Sequence, residues 1–247
     1  VTRDTAIPSM PHSLPSAVVP PPLRGLSSMA TRLVLADLVD AWRAAGGGPV
    51  EIESLGGVDA ARRVEAGEPV DVVILAADAI DRLMAAGHLL PGSRVDLVRS
   101  DVGVAVRADA PAPDIGTEAA VRAAVLAARR IGYSTGPSGQ ALAQRFARWG
   151  IADQVAPKLV VPPPGVPVGT LVARGEIDLG FQQLSELIHV EGIRLLGTLP
   201  PEIGIVTVFS GAVARTSQHP EAVRALLAFM ASPAAEAAKR RQGMRPA

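Results

Sequence analysis

Short β-branched runs alternate with alanine-rich segments of helical period along most of this 247-residue chain, and that alternation limits its fold more than any other feature. Two parallel strands need a crossover of a dozen or more residues between them, which an amphipathic helix supplies. The pattern therefore predicts βα units around mostly parallel sheet. Strands are expected near Arg24–Leu26, Val50–Glu53 and Asp71–Leu75, with helices near Met29–Ala45, Val58–Ala66 and Ala77–Ala86. Each helix has a stop: Ala45 runs into Gly46, Ala66 into Gly67 and Ala86 into Gly87, and glycine takes the left-handed cap conformation without penalty.

A second set of the same kind follows. Asp101–Arg107 has the composition of a strand, and the proline-rich stretch Ala108–Ile115 after it suits neither helix nor central strand, so a lobe boundary belongs there. The spacing then predicts helix Glu118–Ala128, strand Arg130–Tyr133, helix Ser138–Trp149, strand Lys158–Val161, helix Val166–Arg174 and strand Ile177–Phe181. A second long extended run, Ile203–Val213, carries the chain back. Helices Pro220–Ala231 and Pro233–Arg241 close the first lobe, with His219 and Ser232 as their caps. One open sheet is the alternative. Two long extended segments bracketing a complete βα set instead favour an α/β chain of two lobes, mixed sheets flanked by helices and joined by two crossing hinge strands. The expected division is an arm over residues 1–22, a first lobe of 23–102 plus 208–247, and a second lobe of 103–207.

Two strand-to-helix junctions stand out within this frame. The first, Arg24-Gly-Leu-Ser-Ser-Met-Ala-Thr-Arg32, places Ser27 and Ser28 as helix caps, and the second is Tyr133-Ser-Thr-Gly-Pro-Ser-Gly-Gln140. The first N–H groups of a helix lack internal partners and sit at the positive end of its dipole, so an anion can be held there without a basic side chain. Serine, threonine and glycine also cap helices with no ligand present. The pairing of two such starts in two halves of one chain points to a ligand gripped between lobes.

Composition narrows the partners. Acidic and basic side chains balance at 24 each, so no global field draws nucleic acid or an anionic membrane, and any preference for anions must be local. There is no cysteine, which removes disulfides, thiolate metal sites and cysteine nucleophiles together. No apolar run approaches the roughly 18 residues needed to span a bilayer, so no direct membrane insertion is expected. Val1–Pro22 carries six prolines and lacks the charged start, apolar centre and cleavage site of a secretory signal. It reads as a disordered or loosely docked arm. The expected location is the cytoplasm for the chain as it stands, or the periplasm if a signal has been removed.

At this point the residues resemble a family. Leu26-Ser-Ser-Met-Ala-Thr, Glu68-Pro-Val-Asp-Val-Val-Ile-Leu-Ala, Gly103-Val-Ala-Val-Arg, Tyr133-Ser-Thr-Gly-Pro-Ser-Gly and Ala173-Arg-Gly-Glu-Ile-Asp-Leu-Gly-Phe-Gln-Gln are similar to segments of molybdate-binding-like solute receptors of ABC transporters, in the family's order. The resemblance covers residues 23 to 247. It implies the type 2 periplasmic-binding-protein fold, with a small anionic ligand clamped between lobes by loops at strand ends, no cofactor, a monomer, and an ABC permease as partner for an exported chain. Carried across residue by residue, it implies ligand contacts at Ser27, Ser28 and Met29, at Gly56 and Gly57 in the loop Ser54-Leu-Gly-Gly57, and at Ala76. It further implies Ser134, Ser138, the Gly139 amide, Gln182 and Gln183. Relatives often carry another hydroxyl beside the glycines where this chain has Val58, so a tetrahedral oxyanion has fewer donors here. The glutamines both donate and accept, which suits an organic di- or tricarboxylate better than molybdate.

The resemblance has a second branch, aconitate isomerases, which move an allylic proton in a tricarboxylate; Ser-Ser-Met-Ala-Thr-Arg is similar to that branch. The chemistry needs a base beside a carbon acid and donors for the developing charge. Helix starts supply the donors. No base is nameable, because His12 lies in the arm, His88 at a helix end, His219 at a cap, and His189 fits a surface or capping role. Arg32 and Arg107 are the candidates for a direct carboxylate contact, since a guanidinium grips one with two parallel bonds; an ion pair with a neighbouring Asp or Glu is the competing role. Tyr133 either lines the cleft or finishes a strand. Phosphate-loop, dinucleotide, zinc-protease and serine-elbow motifs are all missing, and metal catalysis lacks ligands. The leading expectation is a receptor that binds a small anion by lobe closure, with an isomerase of the same ligand class as the alternative.

Overall fold

Parallel strands cannot be joined by a tight turn, and in the computed structural model, which describes residues 21–163 and 165–247, two parallel sets are wound through helices. The expected arm falls almost wholly outside the described residues. The first set is β1 (Leu23–Ser28), α1 (Arg32–Ala44), β2 (Val50–Leu55), α2 (Gly57–Glu65), β3 (Val72–Ala76) and α3 (Ala77–Ala85). A long strand, β4 (Val95–Arg107), leads to α4 (Glu118–Ala127). The second set is β5 (Ile131–Tyr133), α5 (Pro137–Arg148), α6 (Ala152–Val155), β6 (Leu159–Val160), α7 (Val168–Ala173), β7 (Leu179–Gln183) and α8 (Leu184–Leu187). Then come β8 (Ile193–Thr198), β9 (Val206–Val213), α9 (Pro220–Ala231), α10 (Glu236–Arg241) and β10 (Arg245–Pro246).

The strands follow the order β2-β1-β3-β9-β4-β7-β5-β6, with β8 and β10 also paired to β4. Each half repeats one plan. β1 is parallel to β2 and β3, and β5 is parallel to β6 and β7; β3 and β7 then meet antiparallel neighbours, β9 and β4 respectively. This is the type 2 periplasmic-binding-protein fold.

The repetition extends to single residues. Asp71 Oδ2 accepts from the Arg24 N–H at 2.9 Å, and the Asp71 N–H donates to the Arg24 carbonyl at 2.7 Å, tying the entry of β3 to β1. In the other half Asp178 Oδ2 accepts from the Arg130 N–H at 3.0 Å, and the Asp178 N–H donates to the Arg130 carbonyl at 3.0 Å. Asp71 Oδ1 also accepts from Ser217 Oγ at 2.7 Å. Hydrogen bonds to a charged group contribute more than neutral ones, so Asp71→Ala is expected to cost about 2 kcal/mol. A urea midpoint equal to that of the wild type would show that this carboxylate holds nothing in place.

Buried side chains fall into separate groups on the two halves. Leu38, Ile74, Val98, Phe209 and Leu226 belong to one cluster, and Val102, Val104, Ile131, Phe146 and Phe181 to another. The division crosses β4 between Val98 and Val102. There the second crossing segment runs alongside, with the Val102 N–H donating to the Ile205 carbonyl at 3.0 Å. One buried bond ties the halves near the crossing: Ser185 Oγ at the start of α8 donates to the Ala30 carbonyl at 2.9 Å.

Several elements depart from the sequence reading for local reasons. β4 begins at Val95 rather than Asp101, because a bulge between Asp96 and Val98 puts Leu97 and Val98 both inside and erases the period of two. The Pro201–Ile203 turn delays β9 to Val206, and Pro167 delays α7 to Val168. β8 had no reading at all: Ile193–Thr198 is a half-exposed strand without alternation. His219 and Ser232 occupy cap positions, yet neither side chain caps; Ser232 Oγ donates backwards to the Phe229 carbonyl at 2.7 Å.

Candidate functional site

Ligands of open α/β sheets bind outside the carboxyl ends of the parallel strands. Here both parallel sets aim those ends at one crevice. The residues that begin the helical turns after the six parallel strands, Ser28, Gly56, Ala76, Gly136, Pro167 and Gln183, all line a cleft of about 440 Å³. No side chain caps any of these six starts. By contrast α4, which begins elsewhere, is capped by Thr117 Oγ1 accepting from the Ala120 N–H at 3.1 Å. Uncapped N–H groups and the positive ends of four helices of nine residues or more, α1 through its leading turn, α2, α3 and α5, thus face shared space.

The structure brings together most of the residues expected there. Ser28, Met29, Gly56, Gly57, Ala76, Ser134, Ser138, Gln182 and Gln183 line the cleft. The serines work differently from the capping role read from sequence. Ser28 accepts, through its carbonyl, a bond from Thr31 Oγ1 at 2.8 Å, and Ser134 and Ser138 share a hydroxyl–hydroxyl bond of 3.0 Å. Four expected residues are not in the lining. Ser27 is fully buried behind it, its Oγ 2.7 Å from Ser54 Oγ. Gly139 is buried inside α5, where a Cβ would lie 1.6 Å from the Ser134 carbonyl oxygen. Arg32 is exposed at the first residue of α1, and Arg107, at the far end of β4, pairs with Asp109 at 2.6 Å. His189 is exposed, 2.8 Å from Gln242, and Tyr133 ends β5 against Phe146.

Three charged side chains that the sequence reading did not place are also in the lining: Asp59, Arg82 and Glu186. Asp59 pairs with Arg62 at 3.2 Å and Arg82 with Asp78 at 3.0 Å. Glu186 has no cationic partner among the described residues. Burial pushes its carboxyl up to about 7, and a hydrogen bond from Gln182 only partly offsets this. Gln182 is oriented for that bond because its Oε1 accepts the Gly169 N–H at 3.2 Å. Beside it the Gln183 Nε2 donates to Thr207 Oγ1 at 2.7 Å, while Gln183 Oε1 is buried with no partner.

Of the elements packed most closely on α8, only β4 carries charged groups. β7 and the Met29–Thr31 turn carry no titratable group, and on β4 Asp96 is held by Ser210 and Arg94, and Asp101 by Arg245. Arg107 is held by Asp109, and Arg99 is an exposed cation without an ion pair among the described residues, in register with Arg245 of β10. The motif Gln182-Gln-Leu-Ser-Glu186 held the missing clue. A glutamate four residues after the first glutamine, across a strand-to-helix junction, comes back to face it.

Opposite these polar groups the wall is apolar. Val161, Pro162, Pro163, Val166 and Phe209 line it, and Val58 of the first half belongs to the same lining. Val58 is 54% exposed and Val161 62%, high values for large apolar side chains. Among the described residues no cluster of three or more His, Asp or Glu side chains is arranged to hold a metal ion.

Comparison with known proteins agrees with this geometry. The family model for bacterial extracellular solute-binding proteins matches residues 23–245. An aconitate isomerase from a Pseudomonas species is 42% identical over 185 residues, which are 74% of this chain and 70% of that protein. The periplasmic molybdate-binding protein of Azotobacter vinelandii superposes with a TM-score of 0.74 at 21% identity, over 90% of this chain and 98% of that one. A sulfate-binding protein of Mycobacterium tuberculosis gives 0.75 at 19% identity, over 91% and 86%.

Proposed function

Since the chain belongs to the bacterial extracellular solute-binding protein family, we propose that it holds a small organic polycarboxylate between its two halves and closes over it. The observation that carries this reading is the convergence of uncapped helix starts from both halves on one cleft. Such fixed dipoles neutralise carboxylate charge without a buried cation and penalise any ligand that leaves them unpaired. The apolar wall of Val161, Pro162 and Phe209 favours a carbon skeleton over a bare oxyanion. The unpartnered Gln183 Oε1 asks for a donor, which a hydroxyl or a protonated acid provides and molybdate lacks. Closure also covers Val58 of the first half and Val161 of the second. Among the described residues no helix is long and apolar enough to cross a membrane, and the partner this reading implies is an ABC permease.

The test is a thermal-shift and calorimetric panel of molybdate, tungstate, sulfate, citrate, malonate and the two aconitate isomers. A ligand present at a hundredfold its Kd adds about 2.7 kcal/mol of stability, well above detection. Polycarboxylates are expected to bind, and stabilisation by molybdate alone would overturn the choice of ligand class. Ser28→Ala combined with Ser138→Ala is expected to raise Kd at least tenfold, about 1.4 kcal/mol, with the fold intact. An unchanged Kd would remove these hydroxyls from the site.

A second reading is an isomerase acting on the same ligand class. Its specific support is Glu186, a carboxyl without a cationic partner in the cleft, together with the 42% identity to an aconitate isomerase.

A further inference from the structure

We propose that Glu186 is the proton-transfer group of this cleft, moving a proton between the two ends of a three-carbon allylic unit in a bound unsaturated polycarboxylate. This inference rests on the isomerase reading and gives Glu186 its part in the reaction. Glu186 stands in the first turn after β7, beside two glutamines whose own bonds hold them in place, in the cleft where the helix starts converge. Of the two other charged groups in the lining, Asp59 is tied to Arg62, and Arg82 is a cation, unfit to accept a proton. Its burial also brings the carboxyl near neutrality, where a base is ionised yet strong enough to act.

The step balances without a co-reactant. A Glu186 carboxylate oxygen takes a proton from the methylene carbon next to one of the ligand's carboxylates. The C–H electron pair becomes a new double bond to the central carbon, and the pair of the old double bond moves to the far carbon and its carboxylate as an enolate. The N–H groups at the helix starts stabilise that charge. Glu186 then returns its proton to the far carbon, the enolate pair forms the new C–H bond, and the residue ends ionised as it began.

The experiment incubates the full chain with cis- or trans-aconitate in deuterated water and follows the allylic and vinyl protons by NMR. Calorimetry measures Kd in parallel. Wild-type protein is expected to interconvert the two acids, incorporating deuterium to the extent that protonated Glu186 exchanges with solvent before it returns the proton. Glu186→Gln, which keeps the size and a hydrogen bond to Gln182, is expected to lose at least a hundredfold in turnover with Kd changed less than threefold. Turnover within tenfold of wild type in Glu186→Gln overturns the assignment alone and leaves an isomerase with another base. Loss of binding in that variant makes Glu186 a ligand-holding group and overturns it too. Wild-type protein that binds either acid without exchange or turnover overturns the isomerase reading, and this inference with it, while leaving the receptor.

Discussion

Gly139→Ala is expected to destabilise the protein by about 3 kcal/mol and to raise the Kd for its ligand at least tenfold. In an ordinary helix the same change stabilises, because alanine loses less backbone entropy than glycine, by about 1 kcal/mol. The sign reverses here because Gly139 is in the first turn of α5 with the chain folded back over it. A Cβ would stand 1.6 Å from the Ser134 carbonyl oxygen and 3.0 Å from the Tyr133 ring. The first obstacle is backbone, so no rotamer change relieves it; either the β5–α5 junction opens or α5 shifts along its axis. Both movements separate Ser134 from Ser138, now 3.0 Å apart, and turn the start of α5 away from the cleft. Strain of this kind in a packed region costs roughly 1–3 kcal/mol beyond the lost propensity gain. A variant melting at or above the wild-type temperature would mean that this junction is not built as described.

Glu186→Gln is expected to stabilise the ligand-free protein above pH 7 by up to about 3 kcal/mol and to leave it unchanged near pH 4. The carboxyl titrates at about 7 in the folded chain against an ordinary 4.5, because burial disfavours its charge. Below 4.5 both folded and unfolded chains hold the proton and stability is at its full value. Between 4.5 and 7 the folded chain keeps a proton that the unfolded chain has released, so stability falls as pH rises. Above 7 a partly buried carboxylate remains with no cationic partner among the described residues, and the loss is complete. Glutamine has no proton to lose, so the difference between the two proteins isolates this one group from every other titration. Urea denaturation at pH 4, 6 and 8 measures it. Parallel curves at all three values would show Glu186 to be as well solvated as a surface carboxylate. The residue that most weakens the empty cleft at physiological pH is thus the one assigned the chemistry, a trade expected of functional sites.

How far the sequence reached can be judged from particular elements. The strand and helix of five of the six βα units were legible, usually to within two residues, because side-chain period is a local property written in consecutive residues; α8, a single turn after β7, is too short to show a period. The exceptions have physical causes: the bulge in β4 put two consecutive residues inside, and β8 shows no alternation because it is half exposed. The site was legible as loops. Nine of the thirteen residues named from the sequence line the cleft, and four stand outside the lining. Ser27 and Ser28 are neighbours on one strand and so face opposite sides, only one of which is open. Gly139 shapes the site from behind, by being small. Arg32 and Arg107 attracted attention as cations, whereas the cleft draws its positive potential from helix ends.

What the sequence determined by itself was the alternation of strand and helix, the doubling of that plan around two long crossing segments, and the small residues at the turns after β1, β2 and β5. Each of these depends on neighbours within a few positions of one another. Only the tertiary structure decided that six junctions spread from Ser28 to Gln183 meet at one crevice, that their helix starts go uncapped, and that Glu186 stands there partly buried, with no cationic partner among the described residues. Pairing order and direction bring those residues together across more than a hundred positions. A carboxyl's ionisation depends on which groups surround it in space, and no stretch of neighbouring residues encodes that.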